Sequence, residues 1–166
     1  RVLAIALDAA GINTGGGGAP VGILGTASIG AFTGASLDYA ALLNAQTDVA
    51  SANALTTSCA YLTTPTVASL LSARVKVAST YSPLWDGNLL DGNVCGFRGK
   101  TTMQMPAATA IFGDFSQVIF AEWGAIEIAA NPYANFVQGI TGIRAFMTAD
   151  VGVRIAGAFS AASSIT

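Results

Sequence analysis

A stretch of alternating residues near the end of the chain decides the fold: residues 143–155 read Ile-Arg-Ala-Phe-Met-Thr-Ala-Asp-Val-Gly-Val-Arg-Ile. Apolar side chains take every second position from Ile143 to Ile155, and the positions between them are more mixed. This period of two predicts a strand with one face on a core and one toward water. At about 3.3 Å per residue the strand spans roughly 43 Å, well beyond the usual length of about five or six residues. Its backbone therefore needs a partner strand of similar length or a second subunit.

Cap signals predict two helices in the first third of the chain. Residues 2–10 are compatible with a helix that ends at Gly11, because glycine favours the helix C-terminal cap. Residues 37–53 carry an apolar stripe at helical spacing, with Ser36 as the cap and Asp38 near the positive end of the helix dipole.

A short buried strand at 58–62 leads into Thr64-Pro65, a pair typical of a helix start. Two turn signals at 86–88 and 91–93 precede a strand predicted at 93–97. Further strands are predicted at 109–112, 118–123 and 125–129. Helices mixed with strands that follow one another late in the chain predict an α+β fold with a mainly antiparallel sheet.

Five short motifs follow one another in the last third of the chain. They are Phe-Gly-Asp-Phe-Ser-Gln at 112–117, Glu-Trp-Gly at 122–124, Pro-Tyr at 132–133, Asn-Phe at 135–136, and Arg-Ala-Phe…Asp-Val…Val-Arg…Ala-Phe over 144–159. Together with Pro-Val-Gly-Ile-Leu at 20–24 and Leu-Leu-Asp-Gly-Asn-Val at 89–94, they resemble the C-terminal portion of HK97-type phage major capsid proteins. The resemblance implies an HK97-like capsid fold with flanking helices and a long C-terminal strand region.

The resemblance also implies two domains, an elongated peripheral one and a wedge-like axial one. Residues 1–25 would hold the end of the peripheral spine helix and a glycine-rich connector, and residues 26–122 the axial domain. Residues 123–156 would be the long peripheral strands, and residues 157–166 would return to the axial domain. Because the chain begins at Arg1, we expect a fragment or processed product. Without the upstream segments by which family members grip their neighbours, we expect that it cannot close a shell by itself.

The composition agrees with a subunit that has extensive contacts. Charged residues make up 10% of the chain and apolar residues 52%, whereas about 25% of a typical soluble domain is charged. A chain with so little charge would expose much apolar surface, which marks an interaction surface or an aggregation hazard. The net charge of −2 gives no basic field for specific nucleic-acid recognition. Glycines and Pro20 interrupt the uncharged span 9–37, so no membrane helix is predicted there.

Sequence patterns for catalysis and cofactor binding are missing. The chain has no histidine, which removes the commonest general base and metal ligand. Cys59 and Cys95 are too few for a zinc site or a disulfide framework, and we expect two unpaired thiols. Gly99-Lys100-Thr101 lacks the earlier glycine of a phosphate loop, and the glycine run at 15–18 lacks the third glycine of a dinucleotide fingerprint. We therefore predict no catalytic residue, no cofactor and no metal site.

Charged and aromatic residues of the last third are candidates for subunit contacts. Glu122 and Glu127 flank Gly124, and if that glycine turned the chain they could form the paired carboxylates of a hydrolase. We favour strand residues in solvent or at a contact, because no desolvated cleft is evident. Asp150 could bind an anion together with its flanking arginines, or pair with a neighbouring strand, while Trp85 and Trp123 suit core or interface anchors. The candidate interface residues are Glu122, Trp123, Glu127, Arg144, Asp150 and Arg154.

The resemblance implies a structural role as the shell subunit of a tailed phage or prophage, assembled in the host bacterial cytoplasm and found in the virion. Its partner would be itself, in pentamers and hexamers, with scaffold, portal or decoration proteins as further candidates and no membrane. A nanocompartment shell of the encapsulin type shares the fold and stays an alternative. A carboxylate-dependent hydrolase is a third, less favoured hypothesis.

The resemblance further implies that a covalent cross-link known from some family members is missing. In those proteins a lysine joins an asparagine just after the Asn-Phe pair, assisted by a glutamate seven residues later. Alignment on Asn135-Phe136 puts Gly139 at the asparagine position and Phe146 at the glutamate position. Because glycine has no amide to attack and phenylalanine accepts no proton, we expect a shell without such links.

Overall fold

The computed structural model describes residues 1–13, 18–77 and 80–166. Of the glycine run predicted to be a connector, residues 15–17 lie outside the described residues. The described helices and strands are α1 (Val2–Ile12), β1 (Gly30–Ala31), α2 (Tyr39–Ser51), β2 (Ala60–Thr63), α3 (Pro65–Ala73), β3 (Val75–Val77), β4 (Thr80–Pro83), β5 (Trp85–Gly87), β6 (Asp91–Val94), β7 (Phe97–Thr101), β8 (Ala110–Gly113), β9 (Val118–Asn135), β10 (Ile140–Val153) and β11 (Phe159–Ala162). Single 3-10 turns occur at Ile23–Gly25, Phe115–Gln117, Phe136–Gln138 and Ala156–Ala158.

Seven strands form a central sheet in the order β1-β11-β8-β2-β7-β6-β5. The pairs β1 with β11 and β2 with β7 are parallel, and the other neighbours are antiparallel. The predicted α+β fold with a mainly antiparallel sheet is confirmed.

Helices α2 and α3 cover one face of this sheet. The stripe predicted for α2 is buried at Leu42, Ala45 and Val49 and packs in one cluster with Phe112 of β8. At α3 the predicted start is confirmed, since the Thr64 hydroxyl accepts a hydrogen bond from the Val67 amide at 3.4 Å. Local sequence signals alone thus predict both the stripe of α2 and the cap of α3.

The predicted cap of α2 and the predicted end of α1 are both wrong. Asp38 caps α2 by accepting a hydrogen bond from the Ala41 amide at 2.8 Å. Ser36 has a φ of 50° and lies two residues before the cap, outside the helix. Asp38 immediately precedes the first helical residue, so its carboxylate can accept from the free amides of the first turn. Helix α1 continues through Gly11 to Ile12, with Asn13 as its C-terminal cap.

The other face of the sheet carries a second apolar cluster. Ile111 of β8 and Phe159 of β11 are fully buried there, and Ile12 and Ile23 pack against them. Neighbouring residues of β8 therefore point to opposite sides, as the alternation of a strand requires. The cluster joins the end of α1 to the sheet.

The indole of Trp85 explains two glycines, Gly92 and Gly99, the first of which the sequence pattern predicted to be in a turn. Gly92 of β6 lies opposite Gly99 of β7, and a Cβ on Gly99 would come within 2.7 Å of the Trp85 ring. The prediction of a turn at 91–93 is wrong, because these residues pair with β5 and β7 as part of β6. Gly92 is there because any side chain at this strand position would collide with Trp85. Trp85 is a core anchor, and its Nε1 donates to the Asn88 carbonyl at 2.8 Å.

The turn in this part of the sheet falls inside the strand predicted at 93–97, so that prediction is also wrong. Cys95 and Gly96 have φ values of 51° and 90° between the paired residues Val94 and Phe97. Positive φ at both central residues is the geometry that suits a two-residue hairpin. Glycine adopts a positive φ without steric cost, whereas a cysteine in the sequence does not indicate a positive φ.

The two cysteines are free, as predicted. Cys59 is buried, and burial raises the pKa of the half-buried Cys95 thiol to about 11, against a smaller lowering by Lys76. Only about one Cys95 thiol in a thousand is then ionised at pH 8, and the thiolate is the reactive form.

We expect alkylation of Cys95 in the native protein to be slow at pH 8 and to accelerate about tenfold per pH unit up to about pH 10. Mass spectrometry after timed iodoacetamide treatment measures this rate. The unreduced, denatured chain is the control, and both of its thiols should react. A native Cys95 that reacts at pH 8 as fast as in the denatured chain would contradict the prediction.

Strands β9 and β10 form a separate two-stranded antiparallel ribbon, here called the β9–β10 ribbon. With 18 and 14 residues, the strands confirm that the long alternating stretch needs a partner of similar length. The strands predicted at 118–123 and 125–129 are a single strand. Gly124 has a φ of 77° and lies at a register shift opposite Met147, so the chain bulges there and does not turn.

Candidate functional site

The β9–β10 ribbon carries all the predicted interface residues except Arg154, which follows the end of β10. Residues directly opposite each other in an antiparallel pair share a face, so the register defines two faces. The odd face holds the odd-numbered residues of β10 with Val118, Phe120, Glu122, Ile128 and Ala130. The even face holds the even-numbered residues of β10 with Ile119, Ala121, Trp123, Glu127 and Ala129.

Only the base of the odd face is covered within the described chain. Val151 is buried there, and α1 comes so close that a Cβ on Gly11 would lie 2.8 Å from the Phe120 ring. Farther along, Ile143 is 75% exposed and Ile128 is 72% exposed. The prediction that this whole face lies on a core is wrong for the outer half, because no described element of the same chain reaches it.

The even face combines aromatic rings with charges. Trp123 is 57% exposed, and the guanidinium carbon of Arg144 lies 5.2 Å from the centre of the Phe146 ring, within the range of a cation–π contact. Glu127 lies across from Phe146, and Asp150 lies across from Ala121. The face is therefore amphipathic and solvent-exposed.

The charges of the ribbon have no ion partner in the described part of the chain, where the salt bridges are those of Asp91 with Arg98 at 3.1 Å and Lys100 at 2.9 Å. The hydrogen bond from Lys100 holds the pKa of Asp91 below its ordinary value despite some desolvation. Asp150 accepts a hydrogen bond from the Val151 amide at 2.8 Å and pairs with no charge on β9.

An anion site built by Asp150 and both arginines is not supported. Arg144 and Arg154 are ten residues apart along an extended segment, which separates them by roughly 33 Å. One small anion cannot contact both side chains.

The paired-carboxylate hypothesis also fails on the geometry. Glu122 lies opposite Ala149 on the odd face, and Glu127 lies opposite Phe146 on the even face. Residues of β10 three positions apart point to opposite sides, so the two carboxyl groups project away from each other. The arrangement cannot place one substrate bond between them.

Asp114, a residue that sequence reasoning missed, ties the base of the ribbon to the sheet. It is 3% exposed, and its carboxylate accepts hydrogen bonds from Thr56 Oγ1 at 3.3 Å, Ser58 Oγ at 3.1 Å and Gln117 Nε2 at 3.4 Å. The backbone amide of Ser116 donates a fourth bond at 3.1 Å. The sequence feature that could have identified Asp114 is the Phe-Gly-Asp-Phe-Ser motif, because it places an aspartate directly after a fully buried strand.

Opposing effects act on this carboxyl group. Burial by itself raises the pKa of Asp114, but hydrogen bonds from Ser116, Gln117 and Ser58 outweigh burial and hold the pKa below its ordinary value. The folded structure thus stabilises the ionised form of the Asp114 carboxyl group.

The two positions implied to have lost a cross-link lie at different places on the ribbon. Gly139, with a φ of 66°, precedes β10 at the outer end, and Phe146 lies on the even face. Glu127 does place a carboxylate across from Phe146, but Gly139 still has no side chain.

An apolar groove of about 670 Å³ lies beside α3, remote from the ribbon. Its lining includes Val67, Leu70, Met103, Met105 and Ile165 and contains no acidic or basic side chain. Among the described residues no cluster of three or more histidine, cysteine or carboxylate side chains could hold a metal. Within the same residues, no helix combines the length and apolar character needed to cross a bilayer.

Comparisons with known proteins identify the family of the chain. Residues 1–163 match the phage capsid family. The major capsid protein of Halomonas phage phiHAP-1 is 30% identical over 117 residues, which cover 70% of this chain and 19% of that protein. The chain therefore spans about a fifth of the length of this relative.

Solved structures share the fold at low sequence identity. The capsid of the empty GTA particle superposes with a TM-score of 0.70 at 20% identity, over 99% of this chain and 62% of that one. A structure from Mycobacterium phage Che8 gives 0.61 at 15% identity, over 81% and 53% of the two chains. The fold is thus the HK97-like capsid fold, and the chain belongs to the phage capsid family.

Proposed function

We propose that this chain is part of the major capsid subunit of a tailed phage or prophage and assembles with copies of itself into the pentamers and hexamers of an icosahedral head. The observation that carries the proposal is the β9–β10 ribbon, which exposes large apolar side chains on both faces: Ile128 and Ile143 on the outer half of the odd face, and Trp123 on the even face. Several large apolar side chains exposed on one element mark a contact with another chain. Burying it against neighbours supplies the free energy of assembly.

The chemistry of the chain supports a structural role. The two glutamates lie on opposite faces, the groove beside α3 has no ionisable lining side chain, and the family is one of capsid proteins. The family match and the phage relative favour a phage head over an encapsulin-type compartment. We place the protein in the virion, after assembly in the host bacterial cytoplasm.

We propose the domain division in the terms that the resemblance implied. Residues 26–122 and 157–166, which contain the seven-stranded sheet, would form the axial domain. Residues 1–25 and 123–156, with α1 and most of the ribbon, would belong to the peripheral domain. The pairing of β8 with β11 supports a junction near the base of the ribbon, because both ends of the ribbon join that pair.

The exposed apolar surface of the ribbon gives the test of assembly. In the full-length subunit we expect Ile128→Asp to lower the yield of closed particles by at least about tenfold, because a charge would be buried without a partner at the contact. Sedimentation and electron microscopy of the purified product measure the yield, and circular dichroism checks that the subunit stays folded.

Leu90→Asp is the matched control, since Leu90 is also 72% exposed but lies in the turn between β5 and β6. It should leave particle yield within about twofold of the unaltered protein. An equal loss for both variants would show that the ribbon is not the distinctive contact. An unaltered full-length protein that forms no particles or capsomers at all would refute the proposed function.

We also expect a mature shell that is free of the covalent cross-link at Gly139. The glycine offers no side-chain amide for such a link. Non-covalent burial or a separate decoration protein must therefore hold the shell together. Scaffold and portal proteins are further proposed partners. Mature particles boiled in detergent should therefore run as single subunits on a gel. A ladder of covalent oligomers would contradict this expectation.

A further inference from the structure

Strands β3 and β4, here called the β3–β4 pair, present apolar side chains to solvent. Among the described residues, the two strands pair only with each other. Tyr81 is 96% exposed and Val77 is 60% exposed. Two paired strands are at best marginally stable in water without a further packing surface, and an exposed tyrosine is the kind of residue that anchors contacts between chains. The pair therefore needs a partner surface.

The groove beside α3 matches the pair in length and in chemistry. Its lining follows the whole helix from Thr64 to Ala73, and a helix of nine residues is about 14 Å long. Strand β4, with four residues, is about 13 Å long. Most of the lining is apolar, and its polar side chains are all hydroxyl groups. A tyrosine suits this lining because its ring is apolar and its tip is polar.

The β3–β4 pair of one copy does not fill the groove of that copy. Strand β3 begins two residues after Ala73, and none of the described residues of β3 and β4 lines the groove. The Leu84 amide donates a hydrogen bond to the Arg74 carbonyl at 2.9 Å, which closes the pair at its base beyond the end of α3. An occupant of the groove therefore comes from another molecule.

We propose that the β3–β4 pair of one copy docks in the groove beside α3 of the next copy, with Tyr81 as the anchor. Because the pair and the groove are different surfaces, each copy donates its pair to one neighbour and accepts the pair of another. Such a head-to-tail contact closes a ring when its rotation fits. The inference rests on the proposed shell role, in whose pentamers and hexamers the same contact recurs around an axis.

Neither surface brings an unpaired charge into the contact. The groove lining contains no acidic or basic side chain. Lys76 is the one charged residue of β3 and β4. Burial raises the pKa of Cys95 and Lys76 lowers it, so the ammonium group lies close to the Cys95 of its own chain. Arg74, which precedes the pair, already donates hydrogen bonds to the carbonyls of Leu37 and Thr166.

The contact is small, and its size decides how it is measured. A buried tyrosine contributes about 150–250 Å², whereas a standard interface buries about 800 Å² per partner. The docking therefore strengthens a ring that other surfaces also hold together, where the effective concentration of the neighbour is high. Irreversible cross-linking detects such a contact because it accumulates short-lived pairs.

The test places one thiol on each surface of the full-length protein. Ser82→Cys lies beside Tyr81 in β4, and Ala107→Cys lies on the exposed lining of the groove. With a short bismaleimide, the protein that carries both changes should give a ladder of covalent oligomers up to pentamers and hexamers, because a head-to-tail contact links each copy to two neighbours.

Single variants are the controls for this ladder. Ser82→Cys alone and Ala107→Cys alone should give no more cross-linking than the unaltered protein, which contains only Cys59 and Cys95. The two single variants mixed before assembly should give covalent dimers, because each dimer then joins a β3–β4 pair to the groove of a different copy.

Matched substitutions then test the anchor and the groove. In the background with both cysteines, Tyr81→Asp and Met103→Asp should each slow ladder formation by at least about tenfold, because docking would bury the new carboxylate without a partner. Leu90→Asp is the control, since Leu90 is 72% exposed and Met103 is 75% exposed, but Leu90 belongs to neither surface. It should leave the rate within about twofold.

Three outcomes overturn the docking: no ladder from the doubly changed protein, a link formed only within one copy, or an equal slowing by Leu90→Asp. They are decided separately from the shell role. Particles seen by electron microscopy without the ladder refute the docking alone. A ladder from a protein that forms no closed particle refutes the closed shell alone.

Discussion

Replacing Trp85 by alanine should lower the free energy of unfolding of this chain by about 3–5 kcal/mol, a large part of the about 5–15 kcal/mol that stabilises a typical domain. The indole is 1% exposed and lies over Gly92 and Gly99, which have no side chains to fill the space that it would leave. The Asn88 carbonyl would also lose the hydrogen bond from Nε1. Both effects act at the packing contact between α3 and β5, so the loss cannot relax locally.

Trp123→Ala is the matched control, because it removes the same side chain from a site that is 57% exposed. It should cost less than about 1 kcal/mol in the unassembled chain. Urea unfolding followed by circular dichroism measures both values without depending on tryptophan fluorescence. Equal losses for the two variants would mean that Trp85 does not anchor the core.

Local sequence signals were sufficient where the decisive neighbours are close in the chain. The alternation of 143–155 predicted the long strand, and Thr64-Pro65 predicted the start of α3, because a strand period and a helix cap depend on a few adjacent residues. The motifs of the last third predicted the fold, which the family match confirms.

Sequence reasoning failed where a distant side chain decides the local conformation. Gly92 looks like a turn residue, yet it lies in a strand, and the position requires glycine because the ring of Trp85 occupies the space beside it. The actual turn uses Cys95, which carries no turn signal but adopts a φ of 51° beside Gly96. Neither outcome can be read from neighbours in the sequence.

The candidate site was predicted as a set of residues but not as a geometry. Trp123, Glu127, Arg144 and Asp150 do share the even face, whereas Glu122 lies on the other face. The separation depends on the cross-strand register and on the bulge at Gly124, which sequence spacing cannot supply. The sequence did not predict that the outer half of the odd face is exposed. Alternation shows that one face of a strand is apolar, but it does not show whether the same chain or another chain covers that face.

Asp114→Ala should lower the free energy of unfolding by about 2–3 kcal/mol. The substitution leaves the hydroxyl groups of Thr56 and Ser58 and the side chain of Gln117 without their acceptor, and it removes a buried carboxylate whose hydrogen bonds are strengthened by its charge. It also removes the cap of the turn at Phe115–Gln117, from which the ribbon starts. Asp86→Ala, at an exposed aspartate, should change the stability by less than about 0.5 kcal/mol.

The pH dependence of the free energy of unfolding separates the contribution of the Asp114 charge from that of the side chain's shape. Because the folded pKa lies below the ordinary value, the unfolded chain binds the proton more tightly, and ionisation stabilises the fold at every pH above the unfolded pKa of about 4. That contribution disappears as the pH falls through the folded pKa. Asp114→Asn keeps the shape without the charge, so the stability gap between the unaltered chain and this variant should be constant from pH 7 to about 5 and should narrow below about 4. Asp86→Asn is the control, for which no such narrowing is expected. A gap for Asp114→Asn that keeps its full size down to pH 2 in urea titrations would show that the hydrogen-bond donors around Asp114 do not stabilise its ionised form.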